Sequence, residues 1–436
     1  MNPKKLTHIA FVLELIALIG SVASLAAAQN NPSTPVLTPV YTFLGLADGA
    51  VPYASVTLDP AGNLYGTTTA GGSSNDNCAG LGGCGVVFKI DTRGHEKLLY
   101  TFTGGLDGGA PEAGVYRSSS TGLLYGAPYV GGAFGNSDVF KLGPPPNVCA
   151  AVLCPWNMTI LYSLGSMSGD GSTITGNLIQ DAAGNTYGMT EYGGSSDLGT
   201  VFQVDPHGNE TILHTFTGSP DGAYPFLGAL ILDQAGNLYG TTSAGGHSGC
   251  FGSGCGVVFK LSPGSGGWTE TILYTFTGGA DGGNPYAGLL LDQQGNLFGT
   301  TFVGGSSNSG TVFELSPASG GTWTEQVLHN FTGVPDGALP SAPLIRDAQG
   351  NLYGTTEGGG QNRWGTVYEM SPNGSGWTEN VLWNFTGTSD GAVPFAGLAI
   401  DASGVLYGTT IGGGDLNANN PACPGGYCGV VFKLTH

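Results

Sequence analysis

The chain is 436 residues long, with 80 glycines, 25 prolines, only 9% charged residues and a formal net charge of −19. With 11 basic against 30 acidic residues it cannot neutralise a phosphate backbone, which excludes nucleic acid as a partner, and anionic membrane surfaces are disfavoured on the same ground. Disorder and a collagen helix are excluded too, because 40% of the residues are apolar, short runs of Val, Ile, Thr, Tyr and Phe recur, and glycine has no three-residue period.

In chain order, the first element is an export signal over residues 1–28. Lys4 and Lys5 open it, an apolar stretch follows from Ile9 to Leu25 with Glu14 inside it, and Ala26-Ala27-Ala28 supply small residues for cleavage before Gln29. An uncleaved membrane anchor is the competing reading, since the stretch is nearly long enough to span a bilayer. Residues 29–35 read as a linker. No second apolar span follows, so no membrane span is expected after cleavage. The mature chain is expected to be a secreted or cell-envelope protein and a monomer.

From residue 36 onward a single unit recurs, with equivalent first positions at Tyr41, Tyr100, Tyr162, His214, Tyr274, His329 and Trp383. The fifth copy shows its make-up best. Ala287–Leu291 is a short apolar run, Asp292-Gln293-Gln294-Gly295-Asn296 is a turn, and Leu297–Thr301, Thr311–Leu315 and Trp323–Phe331 complete four strand-like segments. A period of roughly 55 residues with four strands matches a propeller blade better than a solenoid rung. The chain opens with a fourth-type strand at Pro39–Leu44 and stops after a third-type strand at Gly429–Leu434. The expected fold is therefore all-β: a seven-bladed β-propeller with four-stranded blades over residues 36–436, its ring closed by pairing of the N-terminal strand with the last blade. The third strands, such as Val86-Val87-Phe88 and Val257-Val258-Phe259, are apolar enough to be covered on both faces. The second-strand glycines (Gly66, Gly188, Gly240, Gly299, Gly354 and Gly408) are expected to admit an aromatic ring of the next blade.

The eight cysteines fall into four close pairs: Cys78 with Cys84, Cys149 with Cys154, Cys250 with Cys255 and Cys423 with Cys428. In an exported chain these read as local disulfides. Zinc would want closer spacing and neighbouring histidines, and the histidines here are scattered.

The pattern D-G-x-x-P, D-x-x-G-N-L-Y-G-T-T, G-G, then G-T-V-F resembles the choice-of-anchor GloVer tandem-repeat family of bacterial exported proteins, over nearly all of residues 36–436. The second copy departs most, with Ser119 to Leu123 in place of the aspartate turn and Ala127-Pro128 in place of the paired threonines. The resemblance implies an exported or surface protein, often carrying a sorting anchor. It implies no particular activity.

Three side-chain patterns invite a chemical reading, each beside a structural one. Asp48, Asp107, Asp170, Asp221, Asp281, Asp336 and Asp390 lie in the loops between blades. They are candidates for a Ca²⁺ site, or simply cap their own D-G turns. No other cofactor is expected. Asp59, Asp181, Asp233, Asp292, Asp347 and Asp401 belong to hairpin turns on the other face. Trp156, Trp268, Trp323 and Trp377 either cover blade edges or stack on sugar rings. His214 and His329 replace tyrosine in the repeat and are expected to fill an aromatic slot.

A single site on a repeating ring must sit where the copies differ. Directly after the second strand the copies read Thr69, Tyr129, Glu191, Ser243, Phe302, Glu357 and Ile411. Tyr129, Glu191, Tyr192, Phe302, Glu357, Arg363 and Trp364 therefore form a candidate ligand-binding rim of aromatic and charged residues, with solvated rim residues as the plain alternative. Glu191 and Glu357 belong to the third and sixth copies, nearly opposite each other, and are expected to be too far apart to act as a glycosidase pair. No nucleophile motif or phosphate loop is present, so no catalytic residue is assigned. The reading is an exported binding or interaction module for polysaccharide or another cell-surface ligand such as a protein. The alternatives are an extracellular carbohydrate-active hydrolase or lyase and a structural envelope protein.

Overall fold

A strand covered on both faces carries apolar residues without alternation, and the second and third strands of each repeat have that character. Leu64–Thr68, Thr186–Thr190, Leu238–Thr242, Leu297–Thr301 and Leu352–Thr356 are buried at every position. Third strands such as Val86–Ile90 and Thr200–Val204 leave one residue half-buried and bury the rest. The computed structural model describes residues 34–73, 78, 82–145, 156–374, 376–414, 423 and 428–436. The segment read as an export signal lies outside the described residues. Cys149 and Cys154 lie outside them as well, and with them the disulfide expected of that pair.

The covered strands are the middle of seven four-stranded antiparallel sheets among the described residues. Blade 1 consists of Thr57–Leu58, Leu64–Thr68, Val86–Ile90 and Glu96–Thr101. Blades 2 to 6 repeat that order over residues 116–163, 179–215, 231–275, 290–330 and 345–384. Blade 7 takes Ala399–Ile400, Leu406–Thr410 and Val430–Thr435 from the C-terminal end and Val36–Thr42 from the N-terminal end. The fold is the seven-bladed propeller that the phase of the repeat predicts, and no α-helix occurs among the described residues.

The core is divided among the blade junctions rather than gathered at the centre. Seven apolar clusters of described residues each straddle one junction. At six junctions a phenylalanine closing one outer strand meets the third-strand ring of the next blade edge-on. Examples are Phe43 with Phe88 at 5.2 Å, Phe276 with Phe313 at 5.1 Å and Phe385 with Phe432 at 5.3 Å. The second-strand glycines accommodate this ring, but it belongs to their own blade. Gly66 pairs with Phe88 and Gly299 with Phe313 in the strand register, and a Cβ on Gly299 would lie 2.6 Å from Phe313 Cζ. The expectation of a ring from the next blade is corrected accordingly, because it is cross-strand pairing that brings the aromatic over the glycine.

The remaining repeated residues join the blades. The first threonine of each G-T-T donates to a carbonyl of the next blade, as Thr67 Oγ1 does to Ala113 at 2.9 Å and Thr409 Oγ1 to Ala54 at 3.1 Å. The residue before each proline of D-G-x-x-P adopts a left-handed conformation in six blades: Val51, Ala110, Tyr224, Asn284, Leu339 and Val393, with φ between 49° and 60°. That geometry aims its amide at the preceding blade. Ala110 donates to Cys84 O at 2.7 Å and Asn284 to Cys255 O at 2.8 Å. Three of the four expected disulfides fall on described residues and are formed: Cys84, Cys255 and Cys428 are bonded to Cys78, Cys250 and Cys423 respectively. Local disulfides thus hold the loops that carry three of these acceptors.

Candidate functional site

The end of each second strand and the D-G segment that precedes the blade lie in one layer. Backbone bridges join Ala50 to Ala70, Gly109 to Val130, Gly171 to Gly193, Gly283 to Val303, Ala338 to Gly358 and Ala392 to Gly412. Gly222–Ala223 pairs likewise with Ala244–Gly245. The rim positions are fixed by the same layer: Glu191 donates its amide to Thr173 O at 2.7 Å, Phe302 to Asn284 O at 3.1 Å and Glu357 to Leu339 O at 3.2 Å. They therefore share a face with the D-G loops, as expected. Thr69 and Ser243 turn their hydroxyls back onto Val51 O and Tyr224 O, which withdraws them from the site.

Segments after the repeated D-G-x-x-P, with the corresponding segment before blade 3, line a small pocket bounded by Tyr53, Glu112, Thr175, Leu227, Ser341 and Phe395, with Ala54, Ala229 and Gly397 also in its wall. Aromatic rings crowd this level. Tyr53 lies 4.1 Å from Phe395 across the closure junction, Tyr286 stacks on Phe302 at 4.6 Å and 27°, and Phe226 meets Tyr286 edge-on at 5.3 Å.

Three carboxyl groups converge among these rings. Burial pushes the Glu112 carboxyl up to about 7, with the Glu191 charge adding to the rise. Burial pushes Glu357 up to about 7 as well, partly offset by a hydrogen bond from Ser341. Glu191 is raised by burial and held back by its bond from Tyr192. Tyr53 is raised by burial and then by the charges of both Glu112 and Glu357, with Glu191 contributing. Tyr286 is raised by burial and by Glu357 and Glu191, and Tyr129 by burial, Glu112 and Glu191. Glu191 and Glu357, expected on opposite sides of the ring, thus act electrostatically on the same two tyrosines, Tyr53 and Tyr286. Glu357 Oε1 is buried with no hydrogen-bond partner.

Of the rim predicted from sequence, the structure brings together Tyr129, Glu191, Phe302 and Glu357. Tyr192 is 39% exposed beside Tyr224, at 5.5 Å between ring centroids. Arg363 is exposed, and Trp364 lies over Gly387 at the junction of blades 6 and 7. Sequence reasoning missed Tyr53, Glu112, Phe226, Tyr286 and Phe395. Their signal is the residue following the repeated proline, which varies from Tyr to Glu to Ser inside an otherwise constant motif.

The loop aspartates accept from backbone amides of their own turns, the local role set beside a Ca²⁺ site. Each is tied to its own junction: Asp48 accepts from Tyr41 Oη at 3.1 Å and Leu44 N at 2.8 Å, and Asp107 accepts from Tyr100 Oη and Thr103 N, both at 2.9 Å. Asp170, Asp221, Asp281, Asp336 and Asp390 repeat the arrangement with Tyr162, His214, Tyr274, His329 and Trp383. Both histidines occupy the aromatic slot expected for them. The hairpin aspartates are turn residues: Asp59 accepts from Ala61 N, Asn63 N, Asn63 Nδ2 and Tyr65 Oη. The tryptophans cover blade edges, with Trp268 against Tyr187 at 6.4 Å and Trp377 against Phe298 at 6.0 Å. No helix among the described residues is long and apolar enough to cross a membrane.

The sequence profile of a family described as the Gloeobacter/Verrucomicrobia repeat matches residues 29–253 and 251–436. No curated protein matches the chain. Solved structures similar to it include one assigned as a 6-phosphogluconolactonase from Bacteroides uniformis, at 14% identity and TM-score 0.46 over 74% of this chain and 84% of that one. A gluconolactonase from Xanthomonas campestris aligns at 13% identity and TM-score 0.40, covering 75% of this chain and 88% of its own. A Thermus thermophilus protein assigned as a glucose dehydrogenase aligns at 13% identity and TM-score 0.43, over 92% and 100% of the two chains. Likeness at this level bears on neither ligand nor chemistry.

Proposed function

The chain belongs to the Gloeobacter/Verrucomicrobia repeat family, and from that premise we propose that it is an exported propeller whose channel mouth binds a polysaccharide or another surface glycan. One observation carries this reading: three carboxyl groups from different blades, Glu112, Glu191 and Glu357, act on an aromatic set that includes the packed pairs Tyr53–Phe395 and Tyr286–Phe302. Aromatic faces stack on the apolar faces of sugar rings, and carboxylates accept from sugar hydroxyls. Export is supported by Lys4, Lys5, the apolar run to Leu25 and Ala26-Ala27-Ala28, together with the disulfides at Cys78, Cys250 and Cys423.

The pairing of Glu112 with Glu191 favours a second reading, a carbohydrate-active hydrolase or lyase. A carboxyl held near neutral pH beside a second carboxylate can donate a proton while its partner stays ionised. The two readings separate in one experiment, in which purified mature protein is screened against a polysaccharide panel for thermal stabilisation and for released reducing ends. A binding module gives stabilisation that Tyr286→Ala abolishes, with no product. An enzyme gives product that Glu112→Gln or Glu191→Gln removes. Absence of both responses across the panel would overturn both readings and favour a protein ligand or a structural envelope role.

A further inference from the structure

Most blade junctions repeat one contact among three residues: the aromatic of an outer strand, the aspartate of the loop after it, and a glutamate from the next outer strand. That glutamate is Glu96, Glu210, Glu270, Glu325 or Glu379, each feeling the charge of Asp48, Asp170, Asp221, Asp281 or Asp336 respectively. Where the aromatic is Tyr41, Tyr162 or Tyr274, its hydroxyl donates to the aspartate. Between blades 3 and 4 it is His214. Its Nε2 lies 3.3 Å from Asp221 Oδ2 and 3.4 Å from Glu270 Oε1. All three ligand atoms lie within 4.8 Å of one another, which no other trio of His, Cys, Asp and Glu does among the described residues.

We infer that His214, Asp221 and Glu270 form a binding site for a divalent first-row transition metal, with Zn²⁺ as its probe. A tetrahedral ion with N and O ligands at about 2.0–2.1 Å holds those ligand atoms roughly 3.3–3.4 Å apart. The two approaches of His214 already have that length. Charge points the same way, since two carboxyl groups face one imidazole and a divalent cation would neutralise both once they are ionised. Glu270 Oε1 is buried and receives no hydrogen bond.

The surroundings orient the ligands. Asp221 Oδ2 accepts from Thr217 N at 2.8 Å and Thr217 Oγ1 at 3.0 Å, and its Oδ1 accepts from Gly222 N at 2.6 Å. Such outer bonds are what fix a ligating carboxylate. The three side chains remain 20%, 13% and 16% exposed, so an ion has a path in and water can take the fourth position. His329 meets Asp336 at 3.0 Å without completing a trio, which makes that junction the internal control.

The test is Zn²⁺ titration of chelator-treated mature protein at pH 7.5 by calorimetry, with Co²⁺ as a visible-absorption probe of tetrahedral coordination. One ion per chain, a raised melting temperature and a tetrahedral Co²⁺ spectrum are expected. His214→Tyr installs the residue of the sister junctions, so it should keep the fold while weakening Zn²⁺ about 100-fold or more. Glu270→Gln should act in the same direction, and His329→Tyr should change nothing. Failure to bind Zn²⁺, or binding that survives His214→Tyr undiminished, overturns the assignment and leaves a proton-sharing trio. Glycan binding at the channel mouth is read out separately and does not enter this result.

Discussion

Val51 donates its amide to the carbonyl of Cys428 at 2.9 Å, joining the two ends of the chain where blade 1 meets blade 7. Tyr53 and Phe395 pack with tilted rings 4.1 Å apart across the same junction, and Thr409 reaches Ala54. Closure therefore uses contacts that recur at most of the other junctions. It also leaves Val430–Thr435 dependent on Val36–Thr42 for its outer partner. Deleting residues 37–44 should expose that edge, lower the melting temperature and drive self-association through strand pairing. Size-exclusion chromatography with thermal unfolding checks this, and a monomer of unchanged melting temperature contradicts it.

Asp138 occupies the start of the blade 2 third strand, where other blades carry Val86, Val257 or Val430. It is 1% exposed, neither carboxyl oxygen makes a hydrogen bond of good geometry, and burial raises its pKa although the nearby Ser163 hydroxyl opposes the rise. Asp138→Val should stabilise the protein by about 1–3 kcal/mol, the cost of leaving such a group unsatisfied. Urea unfolding measures it. A destabilised variant would mean the carboxyl has a role that its packing does not reveal.

Gly299→Ala places a methyl 2.6 Å from the Phe313 ring in a strand buried at every position. The ring cannot retreat, because Phe276 sits against it at 5.1 Å. A loss of about 1–3 kcal/mol is expected from this overpacking. Gly404→Ala, at a turn where a Cβ meets nothing within 4 Å but φ is +86°, separates backbone strain from packing. Denaturant midpoints of the two variants should distinguish the causes.

Stability should fall as the pH rises from mildly acidic to alkaline. Burial raises Glu96, Glu270, Glu325 and Glu379 to about 7 and Glu210 to about 8, with the junction aspartates contributing. Glu112 and Glu357 at the channel mouth are likewise raised to about 7. Between the ordinary glutamate value of 4.5 and these raised values, the folded chain holds protons that the unfolded chain has released. Their stabilisation is complete below about 4.5 and is lost as the pH passes 7 and, for Glu210, 8. Asp59, Asp181, Asp233 and Asp401 are lowered by their turn hydrogen bonds, despite burial opposing this, and lose stabilisation only in stronger acid. Metal-free protein should thus melt higher at pH 5.5 than at pH 8.5, and Glu325→Gln should narrow the gap. A melting temperature that climbs toward pH 8.5 refutes it.

Trp268 packs on Tyr187 and Trp377 on Phe298, so Trp268→Ala should reduce stability while leaving glycan binding at the mouth intact. Loss of binding without loss of stability would restore these tryptophans as a sugar platform. Thermal unfolding and the polysaccharide panel, run on the same variant, give both numbers.

Blade number, strand order and closure were legible in the sequence by themselves, because each repeat must bury a two-sided strand and the phase of the ends dictates which strands are left to pair. The turn role of Asp59 and its counterparts was legible for a related reason: an aspartate opening a D-x-x-G hairpin turn finds its donors within the next few residues. Tertiary structure alone decided what meets across junctions and in the channel. Residues such as Glu112 and Glu357, 245 positions apart by their numbers, act on a common tyrosine, Tyr53, only once the ring closes. His214 and Glu270 likewise come from different blades, and no local period encodes their 3.4 Å approach. Periodicity records which faces are covered, whereas a site depends on side chains that interrupt the period, and their company is set by the curvature of the closed ring.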